Sequence, residues 1–208
     1  MKNLTLIIPT KEEAESLPVF LNELKNYNFV KKIVLQKEDH KTIESIKNFG
    51  DLEILVQKNS GYGNALIEGI NSVTTDYCCI INADGSMNPE YLNTMLKNCS
   101  DKDLVFASRY QKPEGGSDDD DLVTFIGNKV FSLIGNLFFR LNISDILFTF
   151  ILGKTDSFKR LNLKNSDFRI CVELPIKAKY LDMNYVTLPS YERSRIGGKK
   201  KVNAIKDG

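Results

Sequence analysis

Short runs of apolar, β-favouring residues alternate along the chain with segments whose apolar positions recur at helical spacing. Leu4–Ile8, Lys32–Gln36, Glu53–Gln57, Tyr77–Asn82 and Asp103–Ser108 read as strands, with helices over Leu17–Lys25, Lys41–Asn48, Asn64–Val73 and Pro89–Asn98 between them. Strands joined through helices run mostly parallel, so the pattern predicts an α/β fold with a mostly parallel central sheet. Ser16 is placed to cap the first helix, and Pro18 falls in the first turn, where a missing N–H costs nothing. Leu17, Phe20, Leu21 and Leu24 then share the face that packs on the sheet.

After Ser108 the pattern changes. Arg109–Asp121 holds Pro113, Gly115, Gly116 and the acidic run Asp118–Asp121, which predicts a mobile functional loop with no regular element. The four aspartates read as a solvated charge run, with a catalytic base among them as the sharper alternative. Beyond the loop, Val130, Phe131, Leu133, Ile134, Leu137 and Phe138 form an apolar stripe between Lys129 and Arg140. It predicts a core-facing helix, with a helix resting on a membrane surface as the alternative. Its charge-free stretch, Val130–Phe139, is about half of the roughly 20 residues a span requires, so no transmembrane helix is expected. A strand around Phe150–Gly153, a helix over Val172–Tyr180 and a strand over Tyr185–Tyr191 follow. No repeat or linker divides the chain, and residues 1–208 read as one domain.

Composition adds little until the charge is located. Lys plus Arg is 28 and Asp plus Glu 27 in 208 residues, so the totals do not suggest a nucleic-acid binder. Residues 154–208, however, carry 13 basic and 6 acidic side chains, net +7, against 15 and 21, net −6, before them. An anionic partner is expected to meet the C-terminal quarter. The apolar start stops at Pro9, too short for a signal peptide, which predicts a cytoplasmic chain. Cys78, Cys79, Cys99 and Cys171 lack CxxC spacing and read as reduced core thiols, and His40, the sole histidine, reads as a surface residue at a helix start.

In open α/β sheets ligands sit beyond the carboxyl ends of the strands, and three such ends carry unusual residues. Gly61 and Gly63, just before a helix, would let backbone amides approach an anion, with Lys58 adding charge; a plain turn is the equal alternative. Asp84, after an apolar strand and before Gly85, can hold a divalent cation against a diphosphate, or simply make an Asp–Gly turn.

Leu6-Ile7-Ile8-Pro9-Thr10 with Glu13, Gly61-Tyr62-Gly63-Asn64-Ala65 with Gly69, Asn82-Ala83-Asp84-Gly85 with Pro89, Ser108-Arg109-Tyr110, Gly115-Gly116 and Tyr191 to Lys201 follow one another in order across nearly the whole chain. Together they resemble glycosyltransferase family 2, in its dolichol-phosphate-mannose-synthase-like branch. The resemblance implies a three-layer α/β/α fold of the GT-A type, with a nucleotide-sugar-binding part over about 1–108 and an acceptor-side part over about 109–208. It also implies a divalent cation (Mg2+ or Mn2+), inversion at the anomeric carbon, a nucleotide-diphosphate sugar donor and a lipid-linked or polyprenyl-phosphate acceptor in cell-envelope glycan synthesis, at the inner face of the membrane.

Position by position, the resemblance assigns Pro9, Thr10 and Glu13 to the nucleotide, and Asp84 to the second acid of an Asp-x-Asp metal motif. Arg109 is assigned to phosphate, Asp145 to a turn before a strand and Glu173 to the acceptor side. Arg195, Gly198 and Lys201 match a closing Arg-x-x-Gly-x-Ser-Lys segment in which Lys200 replaces the serine. Three departures stand out. Gln36-Lys37-Glu38-Asp39 replaces a pair of base-binding aspartates, Asn82 replaces the first metal acid, and Phe148-Thr149-Phe150-Ile151 lacks an expected basic residue. A phosphate acceptor needs no base; a sugar hydroxyl needs one, and Asp118–Asp121, Asp145 and Glu173 are the candidates. The missing basic residue at Ile151 and the four aspartates tilt the expectation toward a glycan hydroxyl on a lipid-linked saccharide, with an acid of the 118–121 loop or Glu173 as base. The competing readings are a sugar nucleotidyltransferase and a catalytically weak sugar-nucleotide-binding or scaffolding protein.

Overall fold

The structure, a computed structural model, describes residues 3–197. In chain order its elements are β1 (Leu4–Pro9), α1 (Ser16–Glu23), β2 (Val30–Leu35), α2 (His40–Ile46), β3 (Leu52–Val56), α3 (Tyr62–Asn71), β4 (Tyr77–Ile80), α4 (Tyr91–Asn98) and β5 (Leu104–Ser108). They continue with β6 (Gly116–Ser117), α5 (Leu122–Phe139), β7 (Ile151–Lys154), α6 (Thr155–Arg160), α7 (Ile170–Tyr180), β8 (Tyr185–Pro189) and β9 (Tyr191–Glu192). Seven strands make one sheet in the order β3-β2-β1-β4-β7-β5-β8. Only β7 is antiparallel to its neighbours.

Alternation along the central strands feeds two cores, which is why these strands are apolar on both faces. Leu4, Leu6, Ile8, Ile33, Leu35, Cys79, Val105 and Leu152 pack with α1 and α4 on one side. Ile7, Val34, Cys78, Ile80, Leu104, Phe106 and Ile151 pack with α3, α6 and α7 on the other. The parallel strands bring the carboxyl ends of β1, β4, β5 and β8 to one edge. Antiparallel β7 brings the loop that precedes it, residues 140–150, to the same edge.

Several local expectations are corrected. Ser16 does not cap α1: the cap position is Glu15, and the buried Ser16 Oγ donates to the Glu13 carboxylate within the first turn. The segment Arg109–Asp121 does contain a regular element, because Gly116 and Ser117 pair in parallel with Tyr191 and Glu192. The expected strand Tyr185–Tyr191 breaks at Ser190, so its end can join that small sheet. Helix α6 has no counterpart among the expected elements.

The largest correction is α5, whose apolar stripe does not face the core. Its buried positions are Asn128, Ser132 and Gly135, and Leu133, Leu137 and Phe138 are 67%, 71% and 72% exposed. The inward side is a row of polar anchors. Asn128 donates to Tyr110 Oη at 2.8 Å, Ser132 Oγ accepts from Ile146 N at 3.1 Å, and Asn136 brackets Ile143 with bonds of 2.8 and 2.9 Å. At Gly135 a Cβ would stand 2.7 Å from Ile146 Cδ1, so the missing side chain lets Ile146 pack against the helix. The periodicity finds the helix, but it does not say which side is fastened to the protein. By length and composition this 18-residue helix is also long and apolar enough to cross a bilayer, contrary to the expectation from Val130–Phe139 alone.

Candidate active site

The site is assembled where strands end. After β1, Thr10 is buried, donates from Oγ1 to Ile8 O at 2.9 Å and from its amide to Val34 O at 2.8 Å, so Pro9 and Thr10 are pinned between β1 and β2. The next turn is fixed by Asp39, which accepts from Glu12 N at 2.7 Å and caps α2 through Thr42 N. Thr42 Oγ1 in turn accepts from Glu13 N at 3.0 Å. This use of Asp39 as a splint between two loops had no sequence signal beyond its place after β2.

After β4, the buried Asp84 uses Oδ1 to accept from Ser86 N at 3.0 Å and Ser86 Oγ at 2.8 Å. Its Oδ2 faces Arg195 Nη1 at 3.8 Å. Residues 190–197 form a strap over this turn. Arg193 donates to Gly85 O at 2.7 and 3.2 Å and pairs with Glu23 at 2.9 Å, and Ile196 N donates to Asp84 O at 2.8 Å. Arg195 forks onto Asp119, with Nε at 3.2 Å and Nη2 at 2.8 Å. That bond, together with the charges of Asp119, Asp84 and Glu13, raises the Arg195 pKa. Thus Asp84 and Glu13 both act on Arg195, Thr10 follows β1, the strand next to β4, and Asn82 stands two residues before Asp84. Gly198 and Lys201 lie outside the described residues.

A second cluster adjoins the first through Asp119 and Asp120. The Arg109 guanidinium binds Asp145 through Nε at 2.7 Å and Nη2 at 2.9 Å, while Nη1 bridges Asp120 at 3.2 Å and Glu192 at 3.1 Å. It also stacks over Phe148, 4.6 Å from the ring centroid. Burial alone would lower its pKa, but Asp145 and Glu192 outweigh that and hold it raised. Around Arg109, which the resemblance assigns to phosphate, the structure places three carboxylates. The Glu192 carboxyl is pushed up by burial, against the opposing pull of Arg109 and Ser117. Glu192 was missed because nothing local in Tyr191-Glu192-Arg193 marks a buried acid.

The solvated reading of Asp118–Asp121 holds for the exposed Asp118 and Asp121 but not for Asp119 and Asp120, and each acid has a partner. Asp118 accepts from Tyr191 Oη, Asp119 holds Arg195, Asp120 holds Arg109 and Tyr110 Oη, and Asp121 caps α5 through Thr124 N.

Glu173 and the glycines form a third group. Glu173 accepts from Lys164 N and Asn165 N at 2.8 Å each and pairs with Lys177 at 2.7 Å. Burial raises its pKa, but Lys177, Asn165 and Lys164 together hold it below the ordinary value. The loop it fixes packs on the start of α3. A Cβ on Gly61 would meet Ser166 O at 2.3 Å, and one on Gly63 would meet Asn165 O at 2.1 Å. The glycines therefore admit a protein loop, and Asn64 N is taken by Ser166 O. Nearby, Tyr62 Oη bonds Thr149 at 2.7 Å and its ring stacks on Phe168. The Lys58 side chain is exposed.

The fold thus presents a strand-end site on a mostly parallel sheet, with a buried Asp after β4 facing a guanidinium. The family description Glycosyl transferase family 2 matches residues 5–161, and the chain belongs to that family. A relative described as an uncharacterized glycosyltransferase of Mycobacterium bovis is 24% identical over 96% of this chain and 89% of its own length, and one of Mycobacterium tuberculosis matches equally. Among solved structures, glucosyl-3-phosphoglycerate synthase from Mycobacterium tuberculosis, in complex with Mn2+, UDP and glucosyl-3-phosphoglycerate, superposes with a TM-score of 0.70 at 12% identity, over 93% of this chain and 72% of that one. Mannosyl-3-phosphoglycerate synthase from Rubrobacter xylanophilus gives 0.70 at 16%, over 93% and 67%. These likenesses establish the GT-A fold.

Proposed function

We propose that this chain, read as one glycosyltransferase domain over 1–208, is an inverting transferase. It moves a sugar from a nucleotide-diphosphate donor to a lipid-linked glycan or polyprenyl-phosphate acceptor in cell-envelope glycan synthesis, at the cytoplasmic face of a membrane. The observation that carries this reading is the meeting of Asp84 and Glu13 with Arg195 at the carboxyl edge of the sheet, where Thr10 also follows β1. Pro9, Thr10 and Glu13 line the nucleotide side, and Arg195 meets the diphosphate.

Among the described residues no group of three or more His, Cys, Asp or Glu is arranged to hold a metal. A divalent cation, Mg2+ or Mn2+, would be held by the Asp84 carboxylate and the Asn82 side-chain oxygen together with the donor's own phosphates. When bound, such a cation neutralises charge on the departing diphosphate. Arg195 does the same from the protein side, preorganised by Asp119.

In an inverting transfer the acceptor oxygen forms its bond to the anomeric carbon as the bond to the diphosphate breaks, releasing a nucleoside diphosphate. No enzyme nucleophile is needed. The buried thiols suit that: burial pushes Cys78 and Cys171 up to about 12 and Cys99 to about 11. Asp145, Asp120 and Glu173 are spent on cations and backbone amides. An acceptor that arrives ionised needs no base, so a phosphate oxygen is the acceptor this geometry favours over a sugar hydroxyl. Asn82, in place of a metal acid, is the observation behind a second reading, a sugar-nucleotide-binding protein of weak activity.

The test incubates the chain with a panel of nucleotide sugars, Mg2+ or Mn2+, and polyprenyl phosphate or lipid-linked saccharide. Nucleoside diphosphate release supports transfer, pyrophosphate release indicates a nucleotidyltransferase, and binding without release supports the weak-activity reading. Asp84→Ala should abolish metal-stimulated nucleoside-diphosphate binding in calorimetry; unchanged affinity would remove Asp84 from the metal site.

A further inference from the structure

The outward face of α5 carries Leu122, Val123, Phe125, Ile126, Val130, Leu133, Ile134, Leu137 and Phe138, all exposed. A contiguous apolar face of this extent marks an interaction surface. Lys129 and Arg140 are the only charged residues from 122 to 140, and both are cationic and exposed. On α7, against which α5 packs, Lys179 and Tyr180 are also exposed, Tyr180 by 86%. The opposite side of α5 is fastened along its length through Asn128, Ser132, Gly135 and Asn136, so its axis lies along the protein surface.

We propose that this face of α5 docks on a bilayer, lying in the boundary between headgroups and acyl chains of an anionic membrane. The inference deepens the proposed function and rests on it only in placing the acceptor at that surface. The charge pattern selects this occupant. A bilayer buries the leucines and phenylalanines, Arg140 at the end of the helix reaches headgroup phosphates, and the exposed Lys129, whose Nζ lies 4.6 Å from the Tyr110 ring centroid, can turn to them from the flank of the helix. A second copy of the chain packed on the same face would desolvate Lys129, and no acid between 122 and 140 is there to meet it. Because Asp121 caps α5 and directly follows Asp119 and Asp120, docking sets the donor edge close to the depth of a membrane-borne acceptor.

The chain has no tryptophan, so Phe138→Trp makes a single reporter. With vesicles of phosphatidylglycerol and phosphatidylcholine its emission should shift to the blue and be quenched by brominated lipid. Val130→Glu/Leu133→Glu/Leu137→Glu should weaken co-flotation by at least about tenfold, with the melting temperature and nucleoside-diphosphate binding unchanged. Lys129→Glu, which leaves the apolar residues in place, should weaken binding to anionic vesicles only. An unshifted tryptophan, or co-flotation insensitive to both variants, overturns the proposal. A concentration-dependent dimer dissolved by the glutamates, with no flotation, overturns it in favour of a second copy. The vesicles contain neither donor nor acceptor, so failure here leaves the transfer reading intact, and failed transfer with intact flotation strikes that reading alone.

Discussion

Arg109 is one buried cation among three buried carboxylates, and removing different members of such a cluster has different costs. Arg109→Met leaves Asp145, Asp120 and Glu192 facing one another without a counter-charge, which should destabilise the fold by about 3–5 kcal/mol. Asp145→Asn leaves Arg109 still paired with two acids and should cost less; urea unfolding that gave the opposite order would mean the cluster is not held by charge. The pH dependence separates the two buried glutamates. The Glu192 pKa is raised by burial, so the folded chain holds that proton longer than the unfolded one, and stability falls as pH rises from the ordinary carboxylate value through the raised one. Glu173 is held low despite burial, so its contribution is full above the ordinary value and is lost as pH falls through the lowered one. Melting curves from acid to neutral pH should therefore lose opposite slopes in Glu192→Gln and Glu173→Gln; slopes of the same sign would contradict the assignment.

The start of α3 shows how a motif changes meaning once its neighbours are known. In the sequence, Gly61 and Gly63 read equally as a phosphate cradle or a turn; in the fold they make room for the loop that Glu173 holds. Gly63→Ala pushes a methyl group into the Asn165 carbonyl, where neither backbone can yield easily. It should cost about 1–3 kcal/mol in chemical denaturation, and a neutral substitution would show that the loop is free to retreat. Strands such as β1 and β4 were legible because alternation and apolar runs report local burial. The insertion of β7 between β4 and β5 was not, because partners some 70 residues apart, such as Cys79 and Leu152, leave no local trace. Helix α5 was legible as a helix and illegible as to facing, since its inward side is chosen by Asn128, Ser132 and Gly135. Strand-end Asp84 and Thr10 could be singled out from position alone. The partners of Asp118–Asp121 could not, because a run of like charges reads as solvated until the arginines that meet it are placed.

Across the molecule, the opposite charges of the two parts of the chain are used partly on each other. The C-terminal quarter is net +7 against −6 before it, and within the described residues Arg193 meets Glu23 while Arg195 meets Asp119. The strap over the β4 turn is thus held by internal ion pairs at the place where an anionic donor would bind. Asp119 takes Nε and Nη2 of Arg195 and leaves Nη1 toward Asp84, so the guanidinium is oriented and already partly neutralised. A diphosphate carries more charge than one carboxylate and can draw the same fork, so Asp119 acts as its competitor. Asp119→Asn should then raise affinity for a nucleoside diphosphate with Mg2+ by about three- to tenfold, the equivalent of roughly 0.6–1.4 kcal/mol for a partly exposed pair. Arg195→Ala should lower it by more, and added salt should narrow the gap between wild type and Asp119→Asn. Calorimetry at two salt concentrations reads all three. Weaker binding in Asp119→Asn would reverse the argument, because it would mean that the carboxylate presents Arg195 to the diphosphate and does not compete for it.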